Sequence, residues 1–221
     1  MLSEVLAPKQ IKEDAESLQI WGKDWTNGFV VAPSAIVFPE SIEQLQDLVA
    51  HARSSHVKLV PSGGRTGLSG GAVASQGEVV VSFDRMNQIL DFSPEDRIVT
   101  CQPGVITANL QAFAAEQGLF YPVDFASSGS SQIGGNVATN AGGIKVIRYG
   151  LTRDWVAGMK VVTGTGALLD CNAGLIKNAT GYDFRHLMIG SEGTLGLIGE
   201  LDMCLAPQPQ PQVVMVVGVP E

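Results

Sequence analysis

Histidine and cysteine are scarce in this chain, three of each in 221 residues, and their scarcity removes whole classes of chemistry. Cys101, Cys171 and Cys204 are odd in number, far apart and without a C-x-x-C pair, which argues against a disulfide framework and a cysteine metal site. They read as reduced, buried thiols. His51, His56 and His186 show neither H-x-x-x-H nor H-x-x-E spacing, so no metal site is expected. A nucleophile elbow of the G-x-S-x-G kind is missing as well, because Ser191 follows Gly190 directly and falls one residue short of that pattern. Positive charge is also short: 14 Lys and Arg face 22 Asp and Glu, for a net charge of −8. The basic residues are scattered, which leaves no footprint for nucleic acid or an anionic membrane. No apolar run approaches the ~18 residues of a membrane span, and residues 1–14 lack the basic and apolar regions of a signal peptide. The expectation is a soluble, cytoplasmic protein of a reducing compartment, with peripheral contact at the inner membrane face left open.

Glycine, by contrast, is abundant, at 26 of 221 residues, against a usual share of about 7%. The surplus sits in loops flanked by regular elements. Lys58-Leu59-Val60 reads as a strand end running into Pro61-Ser62-Gly63-Gly64-Arg65-Thr66-Gly67-Leu68-Ser69-Gly70-Gly71, where successive N–H groups could wrap a phosphate. This loop has neither the G-x-G-x-x-G order of a Rossmann turn nor the lysine of a P-loop, and Arg65 is its one cation. A second glycine-rich stretch, Ile133 to Gly143, carries Gly134, Gly135, Asn136, Thr139, Asn140, Gly142 and Gly143. A helix–helix contact explains its small residues but leaves two asparagines in need of partners, so ligand contact is the favoured reading. Two such loops suit a large ligand with a charged and a planar part. In a third stretch, Gly190 to Gly196, Glu192 reads equally as a cap or as a ligand contact.

Ser41 and Gln44 form a capping box ahead of Ile42, Leu45, Leu48, Val49 and Ala52 at helical spacing, predicting a helix over 41–55. With strands over 57–60 and 78–83, this makes a β-α-β first lobe. A short strand over 97–101, a helix over 107–117 stopped by Gly118, a hairpin of 155–163 with 167–171, a short helix over 182–189 and a long strand over 194–205 predict a second lobe with antiparallel pairing. Pro207, Pro209 and Pro211 read as a linker, followed by an apolar, strand-like run from Val213 to Val219.

In their order, the segments Pro61–Gly71, Ile133–Gly143, Arg148-Tyr149-Gly150, Thr180-Gly181-Tyr182-Asp183 and Gly190–Gly196 resemble the FAD-binding domains of the vanillyl-alcohol oxidase and p-cresol methylhydroxylase type. The resemblance is strongest to the branch of FAD-linked D-2-hydroxyacid dehydrogenases, which includes D-2-hydroxyglutarate, D-lactate and glycolate-oxidase-like enzymes. It implies a mixed α/β and α+β fold with two lobes, about 1–90 and 91–207, clasping FAD, while 208–221 would be a linker and the start of a substrate-binding cap absent from this chain. Ser62, Gly63, Gly64, Arg65, Thr66 and Gly67 would then bind the pyrophosphate through backbone N–H groups, with Pro61 and Gly71 among the other cofactor-binding residues. Ile133, Gly134, Gly135, Asn136, Thr139 and Asn140 would run beside the isoalloxazine and ribityl chain, Glu192, Gly193 and Ile198 would lie near the remaining edge, and Pro122, Ser130, Gly142 and Gly143 would also bind the cofactor. Some relatives attach flavin through a histidine in the first glycine loop. None occurs there in this sequence, so the flavin is expected to be non-covalent. The implied partners are a small 2-hydroxy acid and an electron acceptor such as a quinone or an electron-transfer flavoprotein; no catalytic residue can be assigned. Two rival readings stand beside this one: a non-catalytic FAD-binding or electron-transfer subunit, and a nucleotide-binding protein without flavin.

Overall fold

The structure, a computed structural model, describes every residue except Met1, Ala173, Ile176, Gln212, Val214, Val216 and 219–221. The expected strand from Val213 to Val219 therefore lies partly outside the described residues.

The first sheet has the order β1 (Ile11–Lys12), β2 (Ala35–Val37), β4 (Val79–Ser82), β3 (Leu59–Ser62). β2, β4 and β3 run parallel, and β1 is antiparallel at one edge. Helix α1 (Ala15–Trp21) precedes β2, and α2 (Ile42–Ser54) makes the crossover to β3. The Ser41 hydroxyl accepts from the Gln44 N–H, as the capping box requires, but the Gln44 side chain accepts from the Glu40 N–H instead of reciprocating. β3 begins two residues later than expected and takes in Pro61 and Ser62. Proline is tolerated there because β3 is an edge strand.

The second sheet is antiparallel, in the order β5 (Ile89–Ser93), β6 (Ile98–Cys101), β10 (Gly196–Cys204), β8 (Val156–Thr163), β9 (Leu168–Cys171). β7 (Leu119–Phe120) pairs apart from it with β11 (Ala206–Pro207). Helix α3 (Thr107–Glu116) ends at Gly118 in the left-handed region. Short helices α4 (Ile133–Thr139), α5 (Val146–Tyr149) and α6 (Arg185–Met188) complete the chain. β10 bulges at Gly199, where a Cβ would come within 2.7 Å of Ile42 on α2. This close approach lets α2 pack between the sheets: Leu45, Leu48 and Val49 share one core cluster with Val79 and Val81 of the first sheet and with Val162 and Leu197 of the second. The cysteines are free thiols, and burial raises Cys101 to about 12 and Cys171 to about 11. No helix of the described residues is long and apolar enough to cross a membrane.

Candidate functional site

A cleft of about 530 Å³ opens between the sheets, within the usual range for small-molecule sites of roughly 300–1,000 Å³. Its first wall is the loop after β3. The backbone N–H groups of Gly63 to Ser69 donate to no acceptor among the described residues. The loop is held from behind. Asp24 is buried and accepts from the N–H groups of Thr26 and Gly70, each at 2.9 Å, while the Trp25 N–H donates to the Gly67 carbonyl at 3.0 Å. Arg65 adopts φ 57°.

The second wall corrects the sequence reading, for Ile133–Thr139 is the helix α4 and not a loop. Tertiary contact overrides the glycine penalty here. The Ile133 and Gly134 N–H groups donate to the Val105 and Pro103 carbonyls at 2.8 and 2.7 Å, and a Cβ on Gly134 would strike Pro103 at 2.5 Å. The two asparagines find their partners inside the protein. Buried Asn136 donates through Nδ2 to Thr107 Oγ1 at 2.7 Å, and Asn140, left-handed at φ 48°, accepts through Oδ1 from the Arg153 N–H at 3.1 Å. Thr139 Oγ1 donates to the Gly135 carbonyl.

The third motif closes the cleft. The N–H groups of Gly190 and Glu192 donate to the Val137 and Ala138 carbonyls at the end of α4. Gly193, at φ 78°, approaches β3 so closely that a Cβ would lie 2.2 Å from Pro61 Cγ. The carboxylate of Glu192 reaches the loop after β3, 2.7 Å from where a Cβ on Gly71 would sit.

Most of the expected residues meet at this cleft: Pro61, Gly63 to Gly67 and Gly71 from the loop, Gly134, Gly135, Asn136, Thr139, Asn140 and Gly142 from α4 and its end, and Glu192, Gly193 and Ile198 from the far side. Ser62, Pro122, Ser130, Ile133 and Gly143 do not line it. Ser62 and Ile133 are fully buried, and Gly143 packs so closely on Asp124 that a Cβ would lie 2.2 Å from its carbonyl oxygen. Gly64, read as a point of ligand approach, also approaches protein: its Cβ would lie 2.2 Å from the Ser130 carbonyl oxygen. Sequence reasoning missed Asp24, Gln132, Phe125 and Met188 in the lining, none of which belongs to a local motif.

The sequence profile of the FAD binding domain matches residues 33–172. The chain belongs to the FAD-binding domain family. This FAD-binding domain is 64% identical, over 220 residues, to a D-2-hydroxyglutarate dehydrogenase of Stutzerimonas stutzeri (strain A1501), covering 100% of this chain and 47% of that protein. The chain thus spans about half the length of that relative. Among solved structures, alkyldihydroxyacetonephosphate synthase superposes with a TM-score of 0.84 at 27% identity, covering 95% of this chain and 40% of that one. p-Cresol methylhydroxylase with substrate bound superposes with a TM-score of 0.81 at 19% identity, covering 95% and 43%, which shows a shared fold. The expected p-cresol methylhydroxylase architecture is therefore the one observed. The cleft of the FAD-binding domain also fits its cofactor physically: a run of unpaired N–H groups suits a pyrophosphate, and Phe125, Val161, Met188 and Ile198 offer apolar surface to a ring. Gln132, buried in the lining, keeps an Oε1 without a partner.

Proposed function

We propose that this domain holds FAD non-covalently in a flavin-dependent dehydrogenase that oxidises a D-2-hydroxy acid, D-2-hydroxyglutarate being the first candidate, to the 2-oxo acid. The observation that carries the reading is the cleft wall of free N–H groups from Gly63 to Ser69 facing the small residues of α4. In this proposal the loop grips the pyrophosphate through backbone dipoles, Gly135 and Thr139 flank the flavin's ribityl side, and the apolar residues around Ile198 exclude water from the ring. When bound, FAD supplies the two-electron acceptor. Electrons then pass to a quinone or an electron-transfer flavoprotein, at a cytoplasmic location.

The residues that act on substrate are proposed to lie outside these 221 residues. Asp24, Arg65 and Glu192 are the acidic and basic side chains that line the cleft among the described residues. Asp24 and Arg65 are committed to loop contacts, and Glu192 is exposed. None has the hydrogen-bonded setting of a general base. The name of the 64% identical relative supports the dehydrogenase reading over a purely electron-carrying subunit. The test is to titrate the apoprotein with FAD and to assay a chain of the relatives' full length with D-2-hydroxyglutarate and an artificial acceptor. FAD binding with turnover by the long form is expected; no FAD-dependent oxidation of any D-2-hydroxy acid by the long form would overturn it.

A further inference from the structure

Asp84, just after β4, stands behind the glycine loop and outside the cleft lining. Three segments distant in sequence converge on its carboxylate. Trp21 Nε1, at the end of α1, donates to Oδ2 at 2.7 Å, and Gln132 Nε2, at the N-cap of α4, donates to Oδ1 at 2.7 Å. The Arg65 guanidinium lies 3.4 Å from both oxygens, donates to the Gly63 carbonyl at 2.9 Å and sits 5.7 Å from the Trp21 ring centroid. Arg65 is the cation of the cleft lining among the described residues, and it is spent on a carboxylate. Gln132, with Nε2 given to Asp84, leaves a buried, unpartnered Oε1 beside Gly63.

We propose that Asp84 is a positioning residue for the cofactor: it pins the glycine loop to α1 and α4 and cancels the charge of Arg65, so that the cleft holds its diphosphate through backbone N–H groups and not through a cation. This rests on the reading of Gly63 to Ser69 as the phosphate cradle. Dipoles fixed in a loop bind an anion without a mobile counter-charge, so affinity depends little on salt. An uncharged amide at position 84 removes the countercharge and returns Arg65 to the anion.

The experiment is an FAD titration of the apoprotein by flavin fluorescence at low and high ionic strength, about 0.05 and 0.5 M, between which the screening length falls severalfold. For the parent, the dissociation constant should change by less than about twofold. For Asp84→Asn it should rise with salt by about fivefold, the upper worth of an exposed ion pair. The double variant Arg65→Gln/Asp84→Asn, which leaves no charge unpaired, should lose the added salt dependence of Asp84→Asn and return to the parent's salt response, at an affinity below the parent's because the loop is no longer pinned. Equal salt responses for Asp84→Asn and the parent would overturn the inference, as would a double variant that keeps the salt response of Asp84→Asn, since Arg65 would then not be the group that Asp84 holds off the anion. Gly67→Val tests the underlying cradle separately: a Cβ on Gly67 meets nothing nearer than Asp24 Oδ2 at 3.8 Å. Unchanged FAD affinity in that variant sinks the cradle reading whatever Asp84 does.

Discussion

Replacing Gly135 by alanine should move stability and cofactor affinity in opposite directions. Gly135 is the third residue of α4 and lines the cleft, and a Cβ added there meets no protein atom within 4 Å. The apoprotein therefore gains helix propensity with no clash, about 0.5–1 kcal/mol. For a chain of this size that raises the melting temperature by roughly 1–4 °C. The same methyl group occupies space that the proposed cofactor needs. An overpacked contact costs about 1–3 kcal/mol, which is a loss of roughly five- to 150-fold in affinity. Thermal melting of the flavin-free protein and an FAD titration by fluorescence give both numbers. A variant that melts higher and binds FAD as tightly as the parent would refute the placement of the cofactor against α4, and a variant that melts lower would refute the claim that the space is open.

Gly64→Ala should act in the contrary way, costing the apoprotein about 1–3 kcal/mol in a denaturation experiment, because its Cβ would meet the backbone of Ser130 and Ser131. Acid or urea denaturation of the holoprotein should release all flavin into the supernatant after precipitation of the chain, since no histidine lines the cleft among the described residues. Asp202 on β10 has its carboxyl raised above the ordinary range by burial, against the opposing hydrogen bond from Thr100. The folded state therefore binds this proton more tightly than the unfolded state, and stability falls as pH rises through the window above the ordinary aspartate value of about 4. Asp202→Asn should raise the melting temperature at pH 7 and lose that advantage at acid pH; a constant difference across pH would refute the assignment.

What could be read from sequence was whatever local chemistry dictates. Ser41 announced α2, Gly118 marked the end of α3, and the hairpin expected from 155–163 with 167–171 is the β8–β9 pair. The glycine motifs were visible as motifs, and they converge as expected. Their internal roles were not visible. Gly134 packs against Pro103 as well as lining the cleft, and Asn136 looks unpartnered until Thr107 appears 29 positions away. Asp24 and Asp84 are lone acids in the sequence and carry no local signal, although together they hold the glycine loop after β3. α6 spans only Arg185–Met188 where residues 182–189 suggested a fuller helix: the Asp183 carboxylate accepts from the Arg185 N–H at its start, and the Arg185 side chain donates to the Val156 and Ala157 carbonyls of β8.

Because α2 is shared by the two sheets, the order in which the ribosome delivers the chain acquires a consequence. Leu45 and Leu48 cannot finish their core until Val162 and Leu197 arrive from β8 and β10. At about 5–20 residues per second, that leaves α2 waiting on the order of ten seconds with its apolar face uncovered. The parallel sheet is thus made early and completed late, and a nascent chain paused before β10 should be a client for chaperones that cover exposed helix faces.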